Sequence, residues 1–158
     1  MRPWVGGDRG PAAATIDTVR DVRVVRANGT AAPVGGYVAG MAAAGLLFIS
    51  GQTPEGSDGV TSDDPEEQLR QVWHNVSAVL AGAGVGVEAL VHVRTFLASR
   101  DHREINGRIR REVLAQHEPA LTVVVCELYD EAWVVEIEAV AELPHADNIE
   151  PAAAAPRP

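Results

Sequence analysis

The sequence predicts an α+β domain in which two helices cover one face of a single mixed sheet. Two amphipathic segments with helical spacing interrupt segments of strand-like alternation, in the order β-β-β-α-β-α-β-β. The predicted fifth strand is apolar on both of its faces, although the helices can cover only one face of the sheet. We therefore expect the second face to pack against other copies of the chain.

Composition limits the class of protein. The 158 residues suffice for one domain with its own core, and acidic residues outnumber basic ones, 22 to 13, for a net charge of −9. That charge repels the phosphate backbone of nucleic acids. No apolar run is long enough to cross a membrane, residues 1–14 lack the apolar segment of a signal peptide, and the single cysteine excludes an internal disulfide. We predict a cytoplasmic protein with neither a nucleic-acid partner nor a membrane partner.

Both ends of the chain differ in composition from its middle. Residues 1–19 and 144–158 are rich in Gly, Pro and Ala and show no periodicity. Such segments bury little apolar surface, and we predict that both are flexible tails. The folded domain is then expected to span residues 20–143.

Three strands are predicted before the first helix. Val22–Ala27 alternates apolar and charged residues, and Pro33–Gly36 interrupts the pattern. Tyr37–Ala44 and Leu46–Ser50 then read as two antiparallel strands joined near Gly45.

The first helix has clear start and stop signals. Asp64 is a good N-cap, Pro65 suits the first helical position, and Glu67 is placed to complete a capping box. Gly82 and Gly84 are expected to end the helix. One apolar stripe recurs at helical spacing, formed by Leu69, Val72, Trp73, Val76, Val79, Leu80 and Ala83.

The second half of the domain continues with a strand, a helix and two strands. Leu90–Ala98 is predicted as the fourth strand, and the second helix is expected to begin with Asp101 as its N-cap and to end before Pro119. The last two strands are predicted over Leu121–Leu128 and Trp133–Leu143.

Several segments, in this order, resemble the RidA/YjgF family, many of whose members hydrolyse reactive enamines and imines. The matching segments are Gly36–Gly40, Leu47–Pro54, Gln68 with Val72–Gly84, Asp101 with Asn106, Pro119–Thr122 and Val135–Ala139. The resemblance covers about residues 35 to 141. It implies a chorismate-mutase-like domain that forms a homotrimer, with pockets for small-molecule substrates between the subunits.

The resemblance also implies a set of site residues. The family residues that contact or activate the substrate correspond to Tyr37, Asn106 and Glu136, with Glu136 as the catalytic residue. Deaminase members carry an Arg directly after the Pro-Ala pair, where it binds the substrate carboxylate. This chain has Leu121 there, and Val123 stands where some members carry a thiol.

Each of these three residues has a possible chemical role and a possible structural role. Imine hydrolysis needs a positioned water and a proton donor for the departing nitrogen, and a sheltered glutamate such as Glu136 can serve as the acid and base that moves the protons. Glu136 could instead pair with an arginine across an interface. Tyr37 could instead serve simply to close the wall of a pocket, and Asn106 could instead serve simply to bond nearby backbone.

The absence of an arginine at position 121 predicts poor turnover of imines that carry a carboxylate, because a bidentate charged contact is lost. Arg94, which shares a strand face with His92, is the candidate to replace it. The alternative is that Arg94 pairs with an acidic neighbour. No metal or other cofactor is expected, since the five histidines lack metal-ligand spacing and no phosphate or dinucleotide motif is present.

We predict an enzyme that acts on a small, reactive and neutral metabolite. The expected reaction is enamine or imine hydrolysis, or a related dehydration, cyclisation or tautomerisation in a specialised pathway. The alternative is a non-catalytic trimer that binds a small apolar ligand, which Leu121 favours. Ribonuclease activity, which the resemblance also implies for some members, is disfavoured by the net charge of −9.

Overall fold

The computed structural model describes residues 22–144, which form six strands and two α-helices. The strands are β1 Arg23–Val25, β2 Gly40–Ala43, β3 Leu46–Gln52, β4 Leu90–Leu97, β5 Ala120–Val125 and β6 Val135–Glu142. The helices are α1 Pro65–Gly82 and α2 Arg103–Leu114, and single 3₁₀ turns precede β4 and α2. Apart from residue 144, the two predicted tails lie outside the described residues.

All six strands belong to one mixed sheet in the order β1-β2-β3-β6-β4-β5. Every neighbouring pair is antiparallel except β4 and β5, which are parallel and joined through α2. β2 and β3 form a hairpin at Ala44 and Gly45, both of which have positive φ, as a two-residue turn of this kind requires. The predicted α+β fold class is confirmed.

The core lies between the two helices and one face of the sheet. α1 buries the predicted stripe from Leu69 to Leu80, and β6 contributes Val135, Ile137 and Ala139. Because successive strand residues point to opposite faces, Glu136 and Glu138, which alternate with these three in β6, turn away from the helices.

The opposite face of the sheet, called here the open face, is not covered by any helix among residues 22–144. Its centre is apolar: Phe48 is 47% exposed and lies in register with Met41 on one side and Val140 on the other. An apolar face of this kind is unusual on a monomer. The homotrimer expected from the sequence stays a prediction.

The two helix starts differ in how well the sequence predicted them. Asp64 caps α1 as expected, since its carboxylate accepts from the backbone N–H of Glu66 at 2.9 Å. The carboxylate of Glu67 accepts from the Ser62 hydroxyl, so the capping box does not close on Asp64. The prediction of Asp101 as the cap of α2 is wrong.

A 3₁₀ turn takes the place of that cap. Ser99 accepts from the backbone N–H of Asp101 at 3.2 Å and caps the turn Arg100–His102. α2 begins directly after this turn, at Arg103, without a side-chain cap.

Four exposed charged side chains link α1 to α2. Glu66 accepts from Arg70 and from Arg108, both at 2.7 Å, and Glu112 accepts from the same two arginines at 2.9 and 3.3 Å. The guanidinium groups hold the pKa of Glu66 at about 2, with Arg108 contributing most and Arg70 next.

Neither α1 nor α2 is long and apolar enough to cross a membrane, and the same holds for every helix within residues 22–144.

Candidate functional site

A cleft of about 320 Å³ lies between the segment before β2 and the loop that follows β3. Tyr37, which is about half exposed, and Gly51 are on its wall. Asn75 of α1 is buried beneath it and donates through Nδ2 to the carbonyls of Thr53 and Glu55, each at 2.9 Å. The loop is therefore anchored to a helix, which gives the cleft a fixed wall.

The end of β3 is held in an irregular conformation beside this cleft. The pairing of β3 with β6 shifts between Ile49 and Gln52, which marks a bulge. The hydroxyl of Ser50 donates to the carbonyl of Val38 at 2.7 Å, and Nε2 of Gln52 donates to the carbonyl of Ser50 at 2.8 Å. These bonds fix the backbone on both sides of Gly51.

Gly51 brings the cleft and Glu136 together. A Cβ atom built on Gly51 would collide with the carboxylate of Glu136, with Oε1 as the nearest atom. The side chain of Glu136 therefore crosses from β6 to the β3 bulge and rests on the Gly51 backbone. Glycine is needed here because of this close approach.

The surroundings of Glu136 favour its protonated form. Burial raises the pKa of this half-buried carboxyl, and the negative charge of Glu138 raises it further. Within the described part of the chain, the Glu136 carboxylate has no hydrogen bond or ion pair. A half-buried carboxyl group without a partner is available for proton transfer to a bound molecule.

Arg94 does not lie beside Leu121. Residue 94 is in register with Thr122, whereas Leu121 is in register with Val93, so the two side chains are on opposite faces of the sheet. Arg94 donates through Nη1 to Glu138 at 2.5 Å. Its pairing is the alternative that the sequence left open, and within one chain it does not replace the missing arginine.

A second concavity, the α2–β5 groove, holds the other predicted residues. This open groove of about 1550 Å³ is lined by Asn106 on α2 and by Leu121, Val123 and Val125 on β5, the last three with exposures of 41, 43 and 46%. Asn106 is only 2% exposed, and its Oδ1 has no hydrogen-bond partner among residues 22–144.

The predicted site residues thus fall into two groups. Tyr37 and Gly51 line one cleft, and the Glu136 carboxylate lies against Gly51. Asn106, Leu121 and Val123 share the groove on the helix side of the sheet. One chain does not bring the two groups into a single cavity.

Sequence reasoning did not assign site roles to Gly51, Asn75 or Arg110, although each borders one of the two concavities. A glycine inside a strand pattern signals a bulge or a close approach, and that signal was present at Gly51. Arg110 follows Asn106 by four residues, the spacing that places two side chains on one helix face. Asn75 belongs to the helix segment that carries the family resemblance, but its role was not predicted because its partners are backbone carbonyls of a distant loop.

The likeness to known proteins covers most of the described residues. The family model described as Endoribonuclease L-PSP matches residues 29–143. The RutC family protein slr0709 of Synechocystis is 32% identical over 127 residues, which are 78% of this chain and 98% of that protein.

Two solved structures have the same fold. YyfA from Yersinia pestis, described as a member of the conserved Rid protein family, has a TM-score of 0.74 at 27% identity and covers 77% of this chain and 99% of its own. TdcF from E. coli, solved with bound serine, has a TM-score of 0.73 at 22% identity, with coverage of 77% and 99%. The chain therefore belongs to the RidA/YjgF family.

Proposed function

We propose that this protein hydrolyses small, reactive enamines or imines, with Glu136 as the group that moves protons. The observation that carries the proposal is the half-buried Glu136 carboxyl, which has a raised pKa and no partner among the described residues, and which is held against Gly51 at the edge of the Tyr37 cleft. TdcF, which shares the fold, holds a bound serine, so a small amino acid derivative is a reasonable size of substrate.

The reaction needs only a water molecule and one proton-transfer group. The protonated Glu136 carboxyl gives its proton to the imine nitrogen, and the resulting carboxylate accepts a proton from water as the water oxygen attacks the carbon, which gives a carbinolamine. The carboxyl then gives this second proton to the nitrogen. The C–N bond breaks with loss of ammonia, and the carboxylate takes the hydroxyl proton as the carbonyl product forms. A raised pKa suits this role because the protonated form must exist near working pH.

The complete site requires two copies of the chain. Glu136 lies on the face of the sheet away from the helices, and Asn106, Leu121 and Val123 line the groove on the helix side, so a shared cavity forms only where Glu136 of one copy faces the groove of the next. The apolar open face around Phe48 and Val140 provides a surface for such association. A homotrimer is the assembly that the family resemblance implies.

Ammonia release tests the proposal directly. The full chain is assayed with the carboxylate-bearing imine that forms from 2-aminoacrylate and with an uncharged imine. The change Glu136→Gln keeps the size of the side chain and removes its proton transfer, so we expect the rate constant kcat to fall by about 10²- to 10⁴-fold. The control is Glu142→Gln, which removes an exposed carboxylate from the same strand and should leave the rate unchanged. An unchanged rate for Glu136→Gln would remove this residue from the mechanism.

A second candidate is a binding protein without turnover, and the exposed apolar wall formed by Leu121 and Val123 favours it. A thermal-shift screen with recovery of the ligand separates the two functions, because a binder returns the ligand unaltered. RNA cleavage, which the name of the family model suggests, is opposed by the net charge of −9.

A further inference from the structure

Two buried side-chain amides lie at one edge of the apolar stripe of α1. Gln68 and Asn75 are only 2% and 3% exposed. They are about two helical turns apart, so both point toward the same side of the helix. Burying a polar group is costly unless it is hydrogen-bonded, so the partners of these amides indicate what they do.

Gln68 binds the chain just before β6. Its Nε2 donates to the carbonyl of Ala132 at 2.8 Å, and its Oε1 accepts from the backbone N–H of Val134 at 2.8 Å. The same Nε2 also donates to the carbonyl of Ser62 at 2.7 Å. The backbone two residues before Glu136 is therefore attached to α1.

Asn75 binds the chain just after β3. Its Nδ2 donates to the carbonyls of Thr53 and Glu55, and its Oδ1 accepts from Nε2 of Gln71 at 2.8 Å. Because the bond from Gln71 uses the oxygen of the amide, the NH₂ group is directed at the loop. The backbone two residues after Gly51 is therefore attached to the same helix.

The contact between Gly51 and Glu136 lies between these two points of attachment. Each partner is two residues from the nearest bond to α1, at Thr53 or at Val134, which is about 7 Å of extended backbone. A shift of either segment would move the carboxylate off the Gly51 backbone. α1 itself is fixed, because its apolar stripe from Leu69 to Leu80 is buried in the core.

We propose that Gln68 and Asn75 are positioning residues for the proposed hydrolysis, and that together they hold the Glu136 carboxyl group against the Gly51 backbone. This inference rests on the proposed function and adds the device that keeps its proton-transfer group in place. Neither amide binds the carboxyl group itself, so each acts through the backbone segment that it holds.

The charged groups around Glu136 stay the same when a neutral residue of α1 is exchanged. Glu138 lies two residues along β6, and Arg94 of β4 is paired with Glu138. The residue of β4 in register with Glu136 is the uncharged Phe96, β3 carries no charged residue, and Tyr37 is a titratable group of the adjoining cleft. A change in the pKa of Glu136 would then report its burial and position.

The pKa of Glu136 in the full chain, followed by carbon-13 NMR of its carboxyl group, tests the inference. Gln68→Met and Asn75→Leu keep the approximate size of each side chain and remove its hydrogen bonds. We expect both to move this pKa toward the ordinary value of 4.5, because water reaches a carboxyl group that has left Gly51. The rate constant kcat for the uncharged imine should fall by about 10- to 100-fold with little change in KM. Gln71→Ala, at a partly exposed position, should give a smaller shift in the same direction.

The matched control is Val72→Ala, which leaves a cavity under the same helix and removes no hydrogen bond. It should lower the thermal unfolding midpoint as the amide variants do, but leave the pKa of Glu136 and kcat unchanged. An equal shift in Val72→Ala would show a general loosening of the fold and overturn the inference. So would an unmoved pKa in Gln71→Ala or in either amide variant that folds. The proposed hydrolysis is judged separately, because a failure of the unaltered protein to release ammonia refutes it whatever the pKa values are.

Discussion

At the scale of single residues, the absence of a side chain at position 51 determines where the Glu136 carboxylate lies. The change Gly51→Ala places a methyl group where Oε1 of Glu136 now sits, so that side chain must move or the bulge must open. We expect a loss of unfolding free energy of about 1–3 kcal/mol, as for other overpacked sites, together with loss of ammonia release. Urea unfolding and the imine assay measure the two effects.

Gly107 provides the matched glycine. It lies inside α2 with an ordinary backbone conformation, and a Cβ there would meet only the Nη1 atom of Arg111 at 3.5 Å. Gly107→Ala should stabilise the protein by roughly 0.5–1 kcal/mol because alanine favours the helix. A destabilised Gly107→Ala protein would mean that any added methyl group is harmful and that the Gly51 result carries no information about Glu136.

The raised pKa of Glu136 predicts how the stability of the fold depends on pH. Its pKa is raised in the folded chain above the ordinary value of 4.5, first by burial and then by Glu138. The folded protein therefore keeps a proton that the unfolded chain has lost, so stability falls as the pH rises from about 4.5 through the folded pKa. We expect the gain in thermal unfolding midpoint from Glu136→Gln to be larger at pH 7 than at pH 4.

The control for that comparison is Glu142→Gln, which lowers the net negative charge equally from an exposed position on β6. If both changes raise the midpoint by the same amount at each pH, the effect belongs to net charge and the local explanation fails.

At the scale of elements, the four charges between α1 and α2 predict the opposite pH dependence. The pKa of Glu66 is lowered to about 2, chiefly by Arg108 and then by Arg70. A lowered pKa stabilises the fold above the unfolded value of 4.5, and the stabilisation is lost as the pH falls from about 4.5 to about 2. Glu66→Gln should therefore destabilise the protein at pH 7 and differ little from the unaltered protein near pH 2.

Salt provides an independent measurement for this network. All four side chains are exposed to solvent, so added salt should weaken their attraction. Chemical unfolding of Glu66→Gln and of the unaltered protein at low and high salt should show a smaller difference at high salt. A difference that does not depend on salt would assign the effect to helix propensity at position 66.

The elements themselves show what a sequence can and cannot predict. α1 was predicted to within a residue because its signals are local: Asp64, Pro65 and the apolar stripe all act within a few residues. The start of α2 was not, because Ser99 and Asp101 are both capping residues and the choice between them depends on the 3₁₀ turn. β5 was extended too far, to Leu128, because apolar residues continue after its pairing with β4 ends at Val125.

The site was less predictable than the elements for the same reason. The family resemblance gave Tyr37, Asn106 and Glu136 as candidates, but strand register decides which side chains share a face. Leu121 and Arg94 are separated by the sheet only because residue 94 pairs with residue 122, and no local pattern fixes that register. The contact between Gly51 and Glu136 joins two strands that are distant in sequence.

At the scale of the whole molecule, the open face predicts self-association. We expect size-exclusion chromatography with light scattering to give the unaltered protein a mass three times the chain mass of 16.7 kDa. Phe48→Glu places a charge at the centre of the apolar face and should give monomers, because an unpaired charge is not tolerated in a buried interface.

Val60 provides the control, since it is 62% exposed and lies in a loop outside the sheet. Val60→Glu should leave the mass unchanged. A monomeric unaltered chain at micromolar concentration would contradict both the assembly and the shared site, because Tyr37 and Asn106 would then never face one cavity.

The position of β5 has a consequence for how this protein could acquire new substrates. β5 pairs with β4 alone, so its outer side faces no strand within residues 22–144, and Leu121, Val123 and Val125 are partly exposed. Within one chain, exchanges at these three positions disturb no packed interior. The wall that we propose contacts the ligand can thus change at little cost in the stability of the chain, while Glu136 on β6 stays untouched.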